Sequence, residues 1–146
     1  NGTMAARIVC DASVSAKWIL QEEYSEQARG LLSDCIATET RITVPPLWSY
    51  ALDSIIRFRR FRGELSESQA DEAFGFIDGM PITVRYLALS QSRAREIAAQ
   101  ANQRRVYDSI YAAHAEIEDC ILWTADYEYF RAIRGFLSHV RFLGDL

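Results

Sequence analysis

The sequence has few of the residues that bind soft or transition metals: its 146 residues include only two histidines and three cysteines. Cys10, Cys35 and Cys120 lack the close spacing of zinc ligands, so we interpret them as small buried thiols in a reducing compartment. Long apolar runs are also missing, since none approaches the ~18–20 residues of a membrane span. No signal peptide is recognisable. We therefore expect a cytoplasmic protein that does not insert into membranes.

An excess of positive charge is missing as well. The formal net charge is −4, which excludes a strongly basic nucleic-acid-binding domain and leaves only local contacts with a polyanion. Hydrophobic residues make up 49% and charged residues 25% of the chain, as in ordinary globular domains. Residues 1–3, which precede Met4, are typical of a cloning remnant. We predict a single domain over residues 4–146.

Short β-branched or apolar runs alternate with longer amphipathic segments along the chain. Strands are predicted at Arg7–Cys10, Arg41–Val44, Pro81–Arg85, Ile121–Trp123 and Val140–Leu143. Helices are predicted at about Val14–Leu20, Ser25–Cys35, Pro46 to near Gly63, Ser66–Gly79, Ser92–Ala101, Val106–Glu118 and Tyr127–Ile133. This alternation predicts an α/β fold with a parallel sheet and helices on both of its faces.

Acidic residues follow two of the predicted strands. Asp11 comes directly after the first strand, and Asp126 follows the fourth. Asp108 opens the helix that leads into that fourth strand, so it begins at the same edge of the sheet. Ligands of such sheets bind beyond the carboxyl ends of the strands. Clustered carboxylates repel unless they are protonated or neutralised by a cation, and all-oxygen ligands favour Mg²⁺ or Mn²⁺.

Two other interpretations of these acids remain open at this point. Each aspartate singly could cap the amino terminus of a helix, where it would satisfy free N–H groups. The other is an acidic α/β protein that is itself phosphorylated on an aspartate, either a phosphate-transfer receiver or an aspartyl-phosphate hydrolase. Receivers usually pair two acids near the first strand, and the hydrolases place a second aspartate two residues after the nucleophile. Position 13 here is a serine, and we see no matching lysine constellation later in the chain.

Four stretches together resemble the PIN-domain proteins, in particular the toxins of VapBC-type toxin–antitoxin pairs: VCDASVSAKW, VPPLWSY, VYDSIYAAHA and LWTAD. The resemblance spans residues 7–146 in the family's order. It implies a three-layer α/β/α sandwich with a mostly parallel sheet of about five strands. It also implies a metal-dependent endoribonuclease whose catalytic and metal-binding acids are Asp11, Asp108 and Asp126.

Further expectations follow from the same resemblance. Ser13 and Thr124 match positions where a hydroxyl supports the site, and the cofactor is Mg²⁺ or Mn²⁺. The implied partners are an RNA substrate, a small antitoxin protein and a second copy of the chain. Hydrolysis of the RNA phosphodiester would proceed without a covalent enzyme intermediate.

One acid of the family pattern is missing. Ala51 stands where a glutamate is expected, and Ser54 stands where asparagine is common. Asp53 is two residues further on and faces another side of the helix, so it cannot replace that glutamate. Since loss of a metal ligand should cost at least the ~10–100-fold of an outer partner, the chain is either a weakened nuclease or a module that binds RNA or antitoxin without cleaving. Ala51 itself is either natural divergence or an engineered substitution.

Arginine and phenylalanine alternate in the segment Arg57–Arg62. A solvated helix face beside core aromatics is one interpretation of this pattern. The other is an interface, because Phe58 and Phe61 extend an apolar stripe toward the end of the helix. We expect either a homodimer contact or an antitoxin groove there.

Overall fold

The computed structural model describes residues 6–146, so the predicted cloning remnant at residues 1–3 lies outside the described part. Five strands form the sheet: β1 (Arg7–Cys10), β2 (Arg41–Val44), β3 (Ile82–Val84), β4 (Ile121–Thr124) and β5 (Val140–Phe142). The helices are α1 (Ala12–Ser15), α2 (Ser25–Ala37), α3 (Leu47–Phe61), α4 (Glu67–Asp78), α5 (Ser90–Gln100), α6 (Tyr107–Ile117) and α7 (Tyr127–Ile133). None of these described helices has the length and apolar character that crossing a membrane requires.

The sheet confirms the predicted architecture. Its strand order is β3-β2-β1-β4-β5, and every pairing between neighbours is parallel. Helices flank the sheet and give a three-layer α/β/α sandwich. The chain builds outward from β1 to β3 and then returns to place β4 on the other side of β1. The strand order therefore reverses between β1 and β4, which is where ligands of open α/β sheets bind.

The core lies on and around the two central strands. Val9, Cys10 and Leu122 are fully buried, as expected for strands that are covered on both faces. A smaller apolar cluster joins α3 and α4 through Ile56 and Ala73. The helix α3 begins directly after β2 and Pro45-Pro46, so its first turn lies at the carboxyl edge of the sheet.

Most predicted boundaries lie within two residues of the observed ones, and the first helix is the exception. We expected a helix over about Val14–Leu20, but α1 begins at Ala12 and is α-helical only to Ser15, with a 3-10 turn over Ala16–Trp18. The early start follows from Asp11, whose side chain caps the helix by accepting from the Val14 N–H. The early end follows from Ser25, whose hydroxyl donates to the Leu20 carbonyl and replaces a further helical turn.

Candidate metal and substrate site

Asp11 is held in place at the carboxyl end of β1. The side chain is only 3% exposed. Its Oδ1 accepts hydrogen bonds from the Val14 N–H at 3.0 Å and from the Ser13 hydroxyl at 2.6 Å. Burial raises the pKa of the Asp11 carboxyl, while the hydrogen bonds from Ser13, Thr124 and Val14 oppose that rise. The predicted helix-capping interpretation is thus correct for Asp11, although the cap leaves the carboxylate inside a pocket.

Ser13 joins the ends of the two central strands. Its hydroxyl donates to Asp11 and accepts from the backbone N–H of Ala125, just beyond β4, at 3.0 Å. A second hydrogen bond fixes the last residue of α1, because the Trp48 indole donates to Ser15 Oγ at 2.8 Å. The residue predicted to support the site therefore bridges the point where the strand order reverses.

Asp126 and Thr124 build the other side of this region. Asp126 caps α7, since its Oδ1 accepts from the Tyr129 N–H at 3.0 Å. Thr124 is fully buried, and its hydroxyl accepts from the Asp126 N–H at 3.1 Å. The same hydroxyl lowers the pKa of Asp11 through a hydrogen bond. Thr124 thus connects two of the three acids, and its supporting role in the site stays a prediction.

Asp108 differs from the other two acids. It lies in the first turn of α6 and is half-buried, and its carboxylate makes no hydrogen bond or ion pair with any of the residues 6–146. Burial raises the pKa of its carboxyl to about 6, and the charges of Asp11 and Asp126 add to the rise. Capping therefore does not explain Asp108. The three acids lie close enough to repel one another, and the described residues supply Asp108 with nothing that compensates this repulsion.

A pocket of about 280 Å³ brings Asp11 and Asp108 together. Its walls are formed by the start of α1, one face of α3 and the first turns of α6: Asp11, Ala12, Ser13, Leu47, Ala51, Tyr107, Asp108 and Tyr111. Asp126 lines a different pocket, of about 270 Å³, with Gln103, Tyr129 and Arg131. The predicted triad is therefore arranged as a pair that shares one pocket and a third acid beside it.

The carboxylate oxygens of Asp11 and Asp108 suit a hard cation that takes few of its ligands from the protein. Over residues 6–146 there is no group of three or more His, Cys, Asp or Glu side chains already placed to hold a metal ion. Mg²⁺, however, is usually bound by one or two carboxylates and keeps several of its waters. Asp11 and Asp108 meet this requirement, and their mutual repulsion is what a divalent cation would relieve. The assignment of all three acids as ligands stays a prediction.

The third wall of the pocket lacks an acid. Ala51 lines it, so the residue at this position contributes only a methyl group. Asp53 and Ser54 are exposed and are not among the lining residues, which agrees with the expectation that Asp53 faces elsewhere. The structure thus places a small side chain beside the two carboxylates.

Sequence reasoning missed two aromatic residues of this pocket. Tyr107 is exposed and lines it, and Tyr111 is buried and lines it more deeply. The sequence spacing could have indicated Tyr111, because residues three apart share a helix face and Tyr111 is three residues after Asp108 in α6. His114, by contrast, does not line the pocket. It is buried against β2, where its Nε2 lies 3.0 Å from Thr43 Oγ1.

Comparison with known proteins identifies the fold. No protein-family model and no curated protein sequence matches the chain. Among solved structures, PAE2754 from Pyrobaculum aerophilum superposes with a TM-score of 0.69 at 18% identity, covering 99% of this chain and 94% of the other. VapBC2 from Rickettsia felis, solved bound to a promoter DNA fragment, gives 0.65 at 13% identity, with coverages of 93% and 98%.

FitAcB from Neisseria gonorrhoeae gives a TM-score of 0.57 at 14% identity and covers 87% of this chain and 93% of its own. At such low identities the likeness establishes the fold alone, and it extends over most of the length of both chains in each comparison. The chain has a parallel α/β/α fold of the PIN-domain type. More narrowly, the fold is VapC-like, as the sequence motifs predicted.

Proposed function

We propose that the chain is a divalent-metal-dependent endoribonuclease that serves as the toxin of a toxin–antitoxin pair. The observation that carries the proposal is the uncompensated Asp108, whose carboxyl pKa is raised to about 6 beside Asp11 and Asp126. Acids that lie together and have strongly raised pKa values are typical of functional sites, because their mutual repulsion destabilises the free protein and a bound cation relieves it. The location also fits, since the acids meet where the strand order reverses.

Asp11 and Asp108 would hold the cation from two sides of their shared pocket, with Asp126 nearby. When bound, Mg²⁺ or Mn²⁺ would supply an activated water and would stabilise charge on the phosphoryl group. The protein contributes rigidity to this arrangement. Ser13 and Thr124 hydrogen-bond the Asp11 carboxylate, which opposes the rise that burial causes in its pKa and fixes its orientation.

RNA is the substrate that the resemblance to PIN-domain toxins implies, and an exposed aromatic residue at the pocket suits a single-stranded nucleic acid. Tyr107 is 57% exposed and lines the pocket next to Asp108. An exposed ring at this place can stack on an unpaired base, a contact that single-stranded RNA offers and a regular duplex does not. The chain's net charge of −4 requires the substrate to be held locally rather than by a broad basic surface.

RNA cleavage by the purified chain tests the proposal. We expect cleavage of a mixed single-stranded RNA with Mn²⁺ or Mg²⁺, its loss with EDTA, and a loss of at least 100-fold in Asp108→Asn. Asp53→Asn is the matched control, because it removes the same charge from an exposed position outside the pocket. Ala51→Glu should raise the activity by adding a carboxylate to the pocket wall. Absence of cleavage in both the parent and Ala51→Glu would refute the nuclease proposal.

A second function is favoured by Ala51 itself. With a methyl group at this wall and no ready three-acid cluster among residues 6–146, the chain could act as a PIN-like module that binds RNA or antitoxin without cleaving. That function predicts RNA binding that is independent of Mn²⁺ and unaffected by Asp108→Asn. Binding that strengthens with Mn²⁺ in the parent, but not in Asp108→Asn, contradicts it.

The partner proposal rests on similar structures and on one exposed surface. VapBC2 and FitAcB are toxin–antitoxin assemblies, and we propose a small antitoxin partner for this chain as well. Phe61 is 75% exposed and Phe58 is 54% exposed at the end of α3, where the sequence predicted an interface with either an antitoxin or a second copy. Phe61→Ser should leave folding intact and weaken one of these associations.

Two assays, light scattering of the purified chain and co-purification of the antitoxin, distinguish self-association from antitoxin binding. A dimer that Phe61→Ser converts to a monomer assigns this surface to self-association. A dimer unaffected by the substitution, with loss of antitoxin co-purification, assigns the surface to the antitoxin. Unchanged behaviour in both assays contradicts an interface at Phe58 and Phe61.

A further inference from the structure

Tyr111 has a buried hydroxyl with no bonding partner. The side chain is 3% exposed, and within the described residues its Oη makes no hydrogen bond. Most buried side-chain hydroxyls in proteins are bonded, and an unpaired one destabilises the fold. The Ala12 N–H lies near enough to oppose the rise in the Tyr111 pKa, but the two groups do not reach hydrogen-bonding geometry. The phenol therefore has unused donor and acceptor capacity.

The unused hydroxyl belongs to the wall of the acidic pocket. Tyr111 lines it together with Asp11, Asp108 and Ala51. Burial raises the pKa of the phenol well above its usual range, and the charges of Asp11 and Asp108 add to this effect. The hydroxyl therefore stays protonated, so it can both donate and accept a hydrogen bond. Ala51 lines the same pocket, and its side chain contributes a methyl group and no polar atom.

We propose that Tyr111 is a positioning residue of a divalent-cation site, where its hydroxyl hydrogen-bonds a water of the ion's hydration shell on the Ala51 side of the pocket. This inference rests on the cation binding proposed above. It follows from two facts: the protein offers two carboxylates in this pocket, and Mg²⁺ and similar ions keep several waters when carboxylates are few. A hydroxyl that holds one of these waters orients the ion without contacting it.

Tyr129 provides a matched control. It is also buried, at 2% exposure, and the same three acids raise the pKa of its phenol after the larger effect of burial. Its hydroxyl differs in having a partner, because it bonds Ser109 Oγ at 2.9 Å. Removal of either hydroxyl changes the same chemical group near Asp11 and Asp108, and of these two hydroxyls the one of Tyr111 is free to bind a ligand.

Titration calorimetry with Mn²⁺ on the full chain, together with melting curves without metal, tests the inference. Tyr111→Phe should weaken Mn²⁺ binding by about tenfold or more and leave the metal-free melting temperature equal or higher. Tyr129→Phe should bind Mn²⁺ within about twofold of the parent and melt lower, since a satisfied hydrogen bond is lost. Equal Mn²⁺ affinity in the parent and Tyr111→Phe would overturn the inference while leaving the proposed function standing. No Mn²⁺ binding by the parent would overturn both.

A carboxylate added at position 51 tests where the water lies. In Ala51→Glu the new side chain occupies the proposed position of the water, so adding Tyr111→Phe should then change Mn²⁺ affinity by less than about threefold. Melting curves confirm that both Ala51→Glu variants are folded. A loss in the double variant as large as in Tyr111→Phe alone would overturn the assigned position.

Discussion

Asp108→Asn should stabilise the protein and abolish its metal binding. The pKa of the Asp108 carboxyl moves from 3.8 to about 6 in the folded chain, which at 1.36 kcal/mol per unit corresponds to about 3 kcal/mol. Solvent reaches this half-buried side chain and screens its charge, so we expect about 1–2 kcal/mol at pH 7.5. Asparagine has nearly the same shape, and no hydrogen bond to Asp108 is lost among the described residues.

Proton linkage determines how the stability gained in Asp108→Asn depends on pH. An acid whose pKa is higher in the folded than in the unfolded chain favours folding when protonated. Its contribution therefore declines as pH rises from about 4 to about 6, and the ionised form destabilises the fold above that. The gain from Asp108→Asn should accordingly be complete at pH 7.5 and nearly absent at pH 4.

Thermal unfolding at these two pH values provides the assay. For a chain of this size, the expected gain corresponds to a rise in Tm of roughly 3–6 °C at pH 7.5. Mn²⁺ should raise the Tm of the parent, because ligands that bind only the folded state stabilise it, and should leave Asp108→Asn unchanged. A lower Tm in Asp108→Asn at pH 7.5, or the same gain in Tm at both pH values, would show that the ionised Asp108 carboxylate does not destabilise the fold.

Three further predictions concern the framework of the site. Ser13→Ala should cost about 1–2 kcal/mol in urea unfolding, because the Asp11 and Ala125 hydrogen bonds are lost; no change would show that the bridge is unimportant. The pKa of His114 is lowered to about 4 by burial, so acidification from pH 6.5 to 4 should destabilise the parent by about 2–3 kcal/mol more than His114→Gln, and parallel pH profiles would contradict this. Glu118→Gln should lower the free energy of unfolding by about 1–3 kcal/mol, because its carboxylate is 7% exposed and pairs with Arg7 and Arg85. Glu128→Gln, at an exposed ion pair, should change the free energy of unfolding by no more than about 0.5 kcal/mol. Equal losses in the two variants would contradict a stabilising role of the buried ion pairs of Glu118.

The fold was largely predictable because its signals are local. The apolar run Ile8–Cys10 and the β-branched run ending at Val44 mark central strands, and Ser66 with Gln69 marks the start of α4 through a capping box. The first helix was misplaced because its start was taken from the apolar periodicity and not from the possible cap by Asp11, and because its end depends on the hydrogen bond from Ser25 to Leu20. Both depend on side-chain hydrogen bonds rather than on a periodic pattern.

The site was predictable only in part, for a related reason. The topology rule placed the three acids at one edge of the sheet, since strand ends and helix starts alternate regularly there. Whether side chains share a pocket depends on how helices from distant parts of the chain pack. The separation of Asp126 from the Asp11–Asp108 pair, and the orphaned hydroxyl of Tyr111, therefore became visible only in three dimensions.

Titration of Mn²⁺ into the metal-free chain shows whether the Asp11–Asp108 pocket holds a divalent cation. We expect saturable binding in the parent and in Asp53→Asn, and its loss in Asp108→Asn and Asp11→Asn, with each variant folded. Absence of binding in the parent, or binding that survives both pocket substitutions, would contradict a cation site in this pocket.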